Sequence, residues 1–484
     1  MRRTVYGNES LDHFDALVIG SGAGGGPVAY VLATNGLKVL VLEAGPCHLD
    51  YLDDPNRQPV TRFSNDELKL EHRNFIEVHE SVEPRTWRTT PADGDRSLTG
   101  NVQNLPKTVG GGCLHADLKM PRFEPTDFQL GTLLAGKFSG TSFADWPVQY
   151  DELEPFYAWG ERLLGVQGLA GANPFEGPRS ADYPMPPGPV MYGSTVVGKG
   201  LSALGYTMFP YPTAVNSIPY DGRPACVNCG FCSGYPCAIL VGKNLMFHYQ
   251  TVALGIFDER VHGYRGRTVA HGFADFRGKP NDPNKPLGGI VEISGGGFPI
   301  GEAQFYARIV NQLRGGRWDG ALFKQLMRQS PGRDRVMVLV MQAEDAPQLS
   351  NVVDLDPSVV DLDGLPVARC TYQNHAFEVD AGTFYEPKLL DIFQAAGARY
   401  TAIAPRDAIP SSQHIMGTLR SGVSPASSVT DKNGRFWDLG NLYASDGAIF
   451  PTSSGYNPTM TIVAMALRVA AAIVKPSAPA SVIV

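Results

Sequence analysis

Residues 14–20 (FDALVIG) form a nearly unbroken run of Val, Ile and Leu, the pattern of a strand buried on both faces of a parallel sheet. The run passes directly into Gly20-Ser21-Gly22-Ala23-Gly24-Gly25-Gly26. Residues 27–35 (PVAYVLATN) then read as a helix closed by Gly36, and residues 37–42 (LKVLVL) as a second strand that ends at Glu43. Together they predict a βαβ unit. Farther along, 289–298 (GIVEISGGGF) and 335–342 (RVMVLVMQ) have strand character, whereas 302–313 and 387–396 read as helices. The middle of the chain therefore predicts a sheet with helices on one face, and no internal repeat is present. The fold class expected is α/β (α+β), Rossmann-like at its amino-terminal end.

Composition narrows the function. The chain has 484 residues, enough for two or three domains, and its 43% hydrophobic and 18% charged content excludes global disorder. Its 54 Gly and 38 Pro predict many turns and long loops. The net charge of −7 is scattered rather than blocked, so no basic stripe can neutralise phosphates, which argues against nucleic-acid binding. The opening MRRTVYGNES offers no apolar stretch before Phe14, so no signal peptide is expected and the localisation expected is cytoplasmic. The apolar runs at 15–26 and 460–474 are too glycine-rich and interrupted by Arg468, respectively, to span a membrane.

Gly20, Gly22 and Gly25 satisfy G-x-G-x-x-G in register with strand, helix, second strand and acid. The first Gly permits the tight turn, the second lets backbone N–H groups reach a pyrophosphate at the helix start, and the third lets helix pack on strand. Glu43 lies where a carboxylate accepts ribose hydroxyls. The amino-terminal position and the VLEAG after the second strand associate with FAD rather than NAD.

Near the other end stand His414-x-x-Gly417-Thr418, then GNLYASDG at 440–447, Phe450-Pro451-Thr452, and Gly455-Tyr456-Asn457-Pro458-Thr459 leading into an Ala-rich helix. With these motifs the chain resembles the glucose–methanol–choline (GMC) oxidoreductases, flavoproteins that oxidise alcohols. The resemblance also rests on GSGAGGG and VLEAG, on VGGGCLH at 109–115 followed by Pro121-Arg122-Phe123, on WPVQYDELEPFY at 146–157, and on VGKNLMFH at 241–248.

The resemblance implies that His414 is the catalytic base and Asn457 the second active-site residue. An imidazole suits removal of a hydroxyl proton while the carbon-bound hydride goes to the flavin, and a carboxamide can hold the substrate oxygen without added charge. Pro458 and Thr459 would present helix-start donors to the flavin pyrimidine edge, Asp446 and Gly447 match a flavin-binding turn, and Gly110, Gly111 and His115 belong to a flavin-proximal segment. His115 matches a position that is covalently linked to flavin in some sugar-oxidising relatives; packing beside the flavin is the role expected here. Tyr456, Phe450 and Trp437 are expected to pack. The flavin domain is expected to be discontinuous, with 1–130 and 405–484 enclosing a mixed segment at 131–265 and a substrate domain at 266–404.

Of seven Cys, four crowd together as Cys226-x2-Cys229-x2-Cys232-x4-Cys237. Such close spacing in a glycine-containing loop suits an iron–sulfur cluster better than a zinc knuckle, whose pairs stand farther apart. Zinc, two disulfides or metal-free thiols are the alternatives. The resemblance points the same way: the branch that includes bacterial glucose, fructose and gluconate dehydrogenases carries a cysteine loop here, with a three-iron cluster in the glucose and fructose enzymes. A 3Fe-4S or 4Fe-4S centre is therefore expected, and with it a dehydrogenase rather than an oxidase.

That branch also implies a small chaperone or export subunit and a cytochrome acceptor, which would place the protein in the periplasm or at a membrane. The substrate expected is a sugar, glycoside or other polyol. The rival readings are an oxidase of sterols or aliphatic alcohols that makes hydrogen peroxide, and a non-catalytic electron-transfer or assembly subunit. One departure is large: between Leu240 and Val241 relatives place roughly eighty to a hundred residues that complete the dinucleotide fold, and this chain has none.

Overall fold

The computed structural model describes residues 13–45, 84, 86–93, 98–99, 109–111, 118–223, 225–226, 246–263, 267, 269–280, 282, 284–295, 310–311, 315–317, 319–329, 334–405 and 414–474. The amino-terminal unit has the predicted strand–helix–strand order, but its first strand is not buried on both faces: Val18 is buried while Leu17 and Ile19 on the other face are exposed. Strand β1 (Ala16–Ile19) pairs in parallel with β2 (Val39–Leu42) across helix α1 (Gly25–Thr34). The last described helix, α5 (Thr459–Val474), packs on α1. Val18, Val31 and Leu32 share one buried cluster with Ile462, Val463, Met465 and Leu467, so the two ends of the chain close a single core. Helix α2 (Tyr150–Leu164) covers the other side of α5 and ends at Gly165, which adopts φ 72° and donates its N–H to Glu161 O at 2.9 Å.

The middle of the chain forms a six-stranded antiparallel sheet in the order β12-β6-β9-β8-β7-β5. These strands are β5 (Phe209–Pro210), β6 (Tyr249–Ile256), β7 (Val269–Phe273), β8 (Gly289–Gly295), β9 (Val336–Ala343) and β12 (Tyr400–Ile403). Period-2 alternation divides its faces. Tyr249, Val291, Ile293, Leu339 and Met341 enter a second core with helices α3 (Tyr192–Ala203) and α4 (Ala376–Ala395). Ile290 points the other way, into the core built from the chain ends. A smaller sheet joins β10 (Val352–Val360) and β11 (Pro366–Thr371) to β3 (Thr86–Arg88) and β4 (Leu98–Thr99).

The helix expected at 387–396 is a correction: α4 begins at Ala376 and carries Pro387 in its interior. Its start is set by His375, whose side chain accepts from Phe377 N, and by the reciprocal bond from His375 N to Glu378. Phe377, Ala381, Tyr385, Leu389, Ile392 and Phe393 recur at helical spacing and are all buried. That burial outweighs the roughly 3 kcal/mol an interior proline costs. The expected helix at 302–313 falls almost wholly outside the described residues. Phe450 packs as expected, against Trp146 and Phe123, but the Tyr456 hydroxyl also donates to Glu124 at 2.5 Å. Among the described residues no helix is long and apolar enough to cross a membrane.

Candidate active site

The glycine loop and the carboxyl-terminal turn meet. A Cβ on Gly25 would lie 2.0 Å from Gly20 O, and one on Gly24 would lie 2.6 Å from the Asp446 Cβ, so both positions require glycine. Ser445 Oγ donates to Gly24 O at 3.1 Å, and Asp446 Oδ1 accepts from Ala448 N at 2.9 Å, fixing the turn through Gly447. Gly26 N donates to Gly22 O at 2.5 Å. Ser21 ties two expected residues together: its Oγ donates to Glu43 Oε2 at 2.7 Å, its N–H donates to the same oxygen at 2.9 Å, and its Oγ accepts from Gly110 N at 2.8 Å. Gly111 follows in the same turn. Partial burial pushes the Glu43 carboxyl up, but the bonds from Ser21 and Gly45 outweigh it and hold the group below the usual range.

Helix α1 has no side-chain cap and no acid in its first turn, so its own start carries no side chain that would repel an anion. This fits a pyrophosphate, and with Glu43 poised at the end of β2 the residues present fit FAD. Replacing Gly25 by Ala should abolish flavin retention, because the intruding atom is backbone-facing and cannot be relieved by a rotamer. The flavin-to-protein absorbance ratio of the purified variant measures this directly.

The second constellation is assembled from four segments. Met416 N donates to Met246 O at 2.8 Å in antiparallel sense, which sets residue 414 opposite residue 248. Ile290 N donates to Gly455 O at 2.8 Å and brings Asn457 against β8. Segment 452–454 is nailed down beyond β9: Asp345 N donates to Ser453 Oγ at 2.8 Å, Ser454 N to Glu344 Oε1 at 2.7 Å, and Ser454 Oγ to Asp127 Oδ2 at 2.7 Å. Buried Arg277 neutralises this base by pairing with Asp127 and, at 2.8 Å, with Glu344.

His414 and Asn457, expected as a pair, are in contact, with Nδ2 of Asn457 3.3 Å from Nε2 of His414. Around them lie residues that the motifs do not assign. Asn457 Nδ2 donates to Glu292 Oε1 at 3.0 Å, Tyr211 donates its hydroxyl to Asn457 Oδ1, and Lys119 Nζ meets Glu292 Oε2 at 2.6 Å. Gln342 Nε2 donates to Glu292 Oε1 at 3.2 Å, and Gln250 Nε2 to Gln342 Oε1 at 3.0 Å. Alternation explains the row: 250, 342 and 292 sit on adjacent strands β6, β9 and β8, on the face away from α3 and α4. The one available signal was Glu292, a charge in the middle of an otherwise apolar strand run.

His248 closes the set, with its Nδ1 2.8 Å from Nδ1 of His414 and its Nε2 3.3 Å from Ser453 O. A carbonyl only accepts, so His248 carries its proton on Nε2 and offers the Nδ1 lone pair to His414. His414 is thereby held with Nδ1 protonated and Nε2 as the basic atom, facing the Asn457 amide. Burial keeps both rings neutral, lowering His248 to about 4 and His414 well below the ordinary imidazole value; the His414 shift is deepened by His248 and then by the Lys119 charge.

His115, Cys229, Cys232 and Cys237 lie outside the described residues. Cys226 is described, and its N–H donates to Asn216 O at 2.7 Å. Among the described residues no group of His, Cys, Asp or Glu is arranged to hold a metal ion.

The family described as GMC oxidoreductase matches residues 347–466, the stretch that carries His414 and Asn457. The chain is 26% identical to the 2-methyl-1,2-propanediol dehydrogenase of Mycolicibacterium austroafricanum over 95% of each chain. It is also 26% identical to the fructose dehydrogenase large subunit of Gluconobacter japonicus, over 96% of this chain and 98% of that one. The chain thus carries the carboxyl-terminal domain of the GMC oxidoreductases and is similar to dehydrogenases along nearly its whole length. Its fold is shared with pyridoxine 4-oxidase from Mesorbium loti, at a TM-score of 0.55, 12% identity and coverage of 95% and 98% of the two chains. Formate oxidase gives a TM-score of 0.56 at 11% identity, covering 96% and 98%. With these relatives, the chain is an FAD-dependent oxidoreductase. Its alignments with the two dehydrogenases run over 555 and 547 positions, more than the 484 residues of this chain, so each relative has residues where this chain has none.

Proposed function

We propose that this enzyme oxidises a CH–OH group of a sugar, glycoside or other polyol to a carbonyl, with His414 as base and Asn457 holding the substrate oxygen. The observation that carries the reading is the directed chain Ser453–His248–His414, which leaves Nε2 of a neutral imidazole beside a carboxamide donor. Nε2 removes the hydroxyl proton, and Asn457 Nδ2 donates to the oxygen as negative charge develops on it. Tyr211, whose ionisation is opposed by burial and then by Glu292, stays a donor and steadies the carboxamide oxygen. FAD supplies the two-electron acceptor for the carbon-bound hydride when bound. The polar row Gln250, Gln342, Glu292 and Lys119 suits a substrate with several hydroxyl groups better than a sterol or alkyl chain.

The division of labour proposed is a flavin domain from 1–130 and 405–484, a mixed segment at 131–265 and a substrate domain at 266–404. Gly20, Gly22, Gly25, Glu43, Gly110, Gly111, Asp446, Gly447, Pro458 and Thr459 would hold the cofactor, with His115 packed beside it. The shared core of α1 and α5 supports this. Cys226, Cys229, Cys232 and Cys237 are proposed as ligands of an iron–sulfur cluster on the chemistry of four closely spaced thiols. Such a cluster supplies an electron outlet, and the similarity to a large subunit favours a partner such as a cytochrome subunit.

Purified enzyme is tested on a panel of hexoses, glycosides, alditols, sterols and alkanols with dichlorophenolindophenol as acceptor, alongside iron, acid-labile sulfide and peroxide analysis. Dye reduction with polyols, iron and sulfide above background and no peroxide are expected. Stoichiometric peroxide with sterols or alkanols would replace this reading by an oxidase, and failure to turn over any alcohol by a non-catalytic subunit.

A further inference from the structure

We propose that Glu292 is a positioning residue that acts through Asn457, preventing its carboxamide from flipping during turnover. This rests on the reading of Asn457 as the group that holds the substrate oxygen. An amide side chain has two nearly isosteric orientations, and only its hydrogen-bond partners choose between them. Tyr211 does not choose, because a phenol can donate to the oxygen or accept from the nitrogen. Before reaction the lone pair on His414 Nε2 attracts the amide nitrogen.

Once His414 has taken the proton, Nε2–H becomes a donor and draws the amide oxygen instead. A flip at that moment would withdraw Nδ2 from the substrate oxygen. Glu292 opposes it. Its Oε1 accepts from Asn457 Nδ2 at 3.0 Å, and an ionised carboxylate offers nothing to an amide oxygen but repulsion. The carboxylate is itself immobile: it is 1% exposed, and Lys119 and Gln342 hold its two oxygens at 2.6 and 3.2 Å. Lys119 supplies the countercharge that a carboxylate needs at this depth.

The test is a double-mutant cycle on the holoenzyme, with kcat and KM measured for whichever panel alcohol turns over fastest. Glu292→Leu should lower kcat on the order of tenfold to a hundredfold with little change in KM in the wild-type background, and less than about twofold in the Asn457→Ala background. Glu292→Gln keeps an acceptor and should retain kcat within a few-fold. If Glu292→Leu does not fold, Glu292→Met, which keeps the length of the side chain and removes the carboxylate acceptor, runs the same cycle. Equal losses in both backgrounds, or no loss in either, would overturn the proposal. The parent reading is judged separately by Asn457→Ala alone: an unimpaired single variant would sink the role of Asn457, whereas an impaired one uncoupled from residue 292 would sink only this inference.

Discussion

Replacing His414 by Ala is expected to lower kcat/KM by a hundredfold to ten-thousandfold, about 3 to 5 kcal/mol of transition-state stabilisation, while flavin stays bound. The imidazole bonds to His248 and Asn457 and is not among the residues proposed to hold the cofactor, so its loss should leave the flavin absorbance ratio at the wild-type value. The pH profile supplies a second readout. A base must be unprotonated to act, and burial, then His248, then Lys119 all disfavour the imidazolium. The acid limb of kcat/KM should therefore fall below the ordinary imidazole range instead of near pH 6.5. A limb at or above the ordinary value would mean that another group takes the proton.

Arg277→Met is expected to destabilise the fold by about 3 to 5 kcal/mol at neutral pH, because it strands two buried carboxylates. Arg277 is 2% exposed and pairs with Asp127 and Glu344, which in turn fix Ser453 and Ser454 beneath the site. Burial already pushes the Glu344 carboxyl up against the opposing pull of Arg277. Without the guanidinium only the bonds from Ser454 and Ser453 oppose that push, so the native state holds protons that the unfolded chain has released. An acid whose folded pKa is raised contributes stability below its unfolded value and loses it as pH rises through the folded one. The loss of Tm in the variant should thus be smaller at pH 5 than at pH 8. Equal losses at both pH values would show that packing, not charge, is what Arg277 provides.

The parts legible in the sequence are those encoded by contiguous residues. The glycine loop, its flanking strands and Glu43 fall within a single βαβ unit, so spacing alone reveals them. His414 and Asn457 were legible only through resemblance to a family, since each alone reads as an ordinary loop residue. Lys119 and Tyr211 were not legible and Glu292 showed only as a lone charge in an apolar strand, because Tyr211 and Glu292 meet Asn457, and Lys119 meets Glu292, through strand register and long-range contact rather than through any motif. Pro387 misled the helix boundary for the opposite reason: a strong local signal was overruled by the burial of residues on both sides of it.

The two faces of the six-stranded sheet give the enzyme separate places to change. Tyr249, Val291, Leu339 and Met341 secure the helices, while Gln250, Glu292 and Gln342 look toward the chemistry. Exchanging Gln250 or Gln342 would reshape that polar face without opening a void in the core behind it. A lineage of such proteins could therefore drift from one substrate to another by point changes on one side of a single pleated layer, its scaffold untouched.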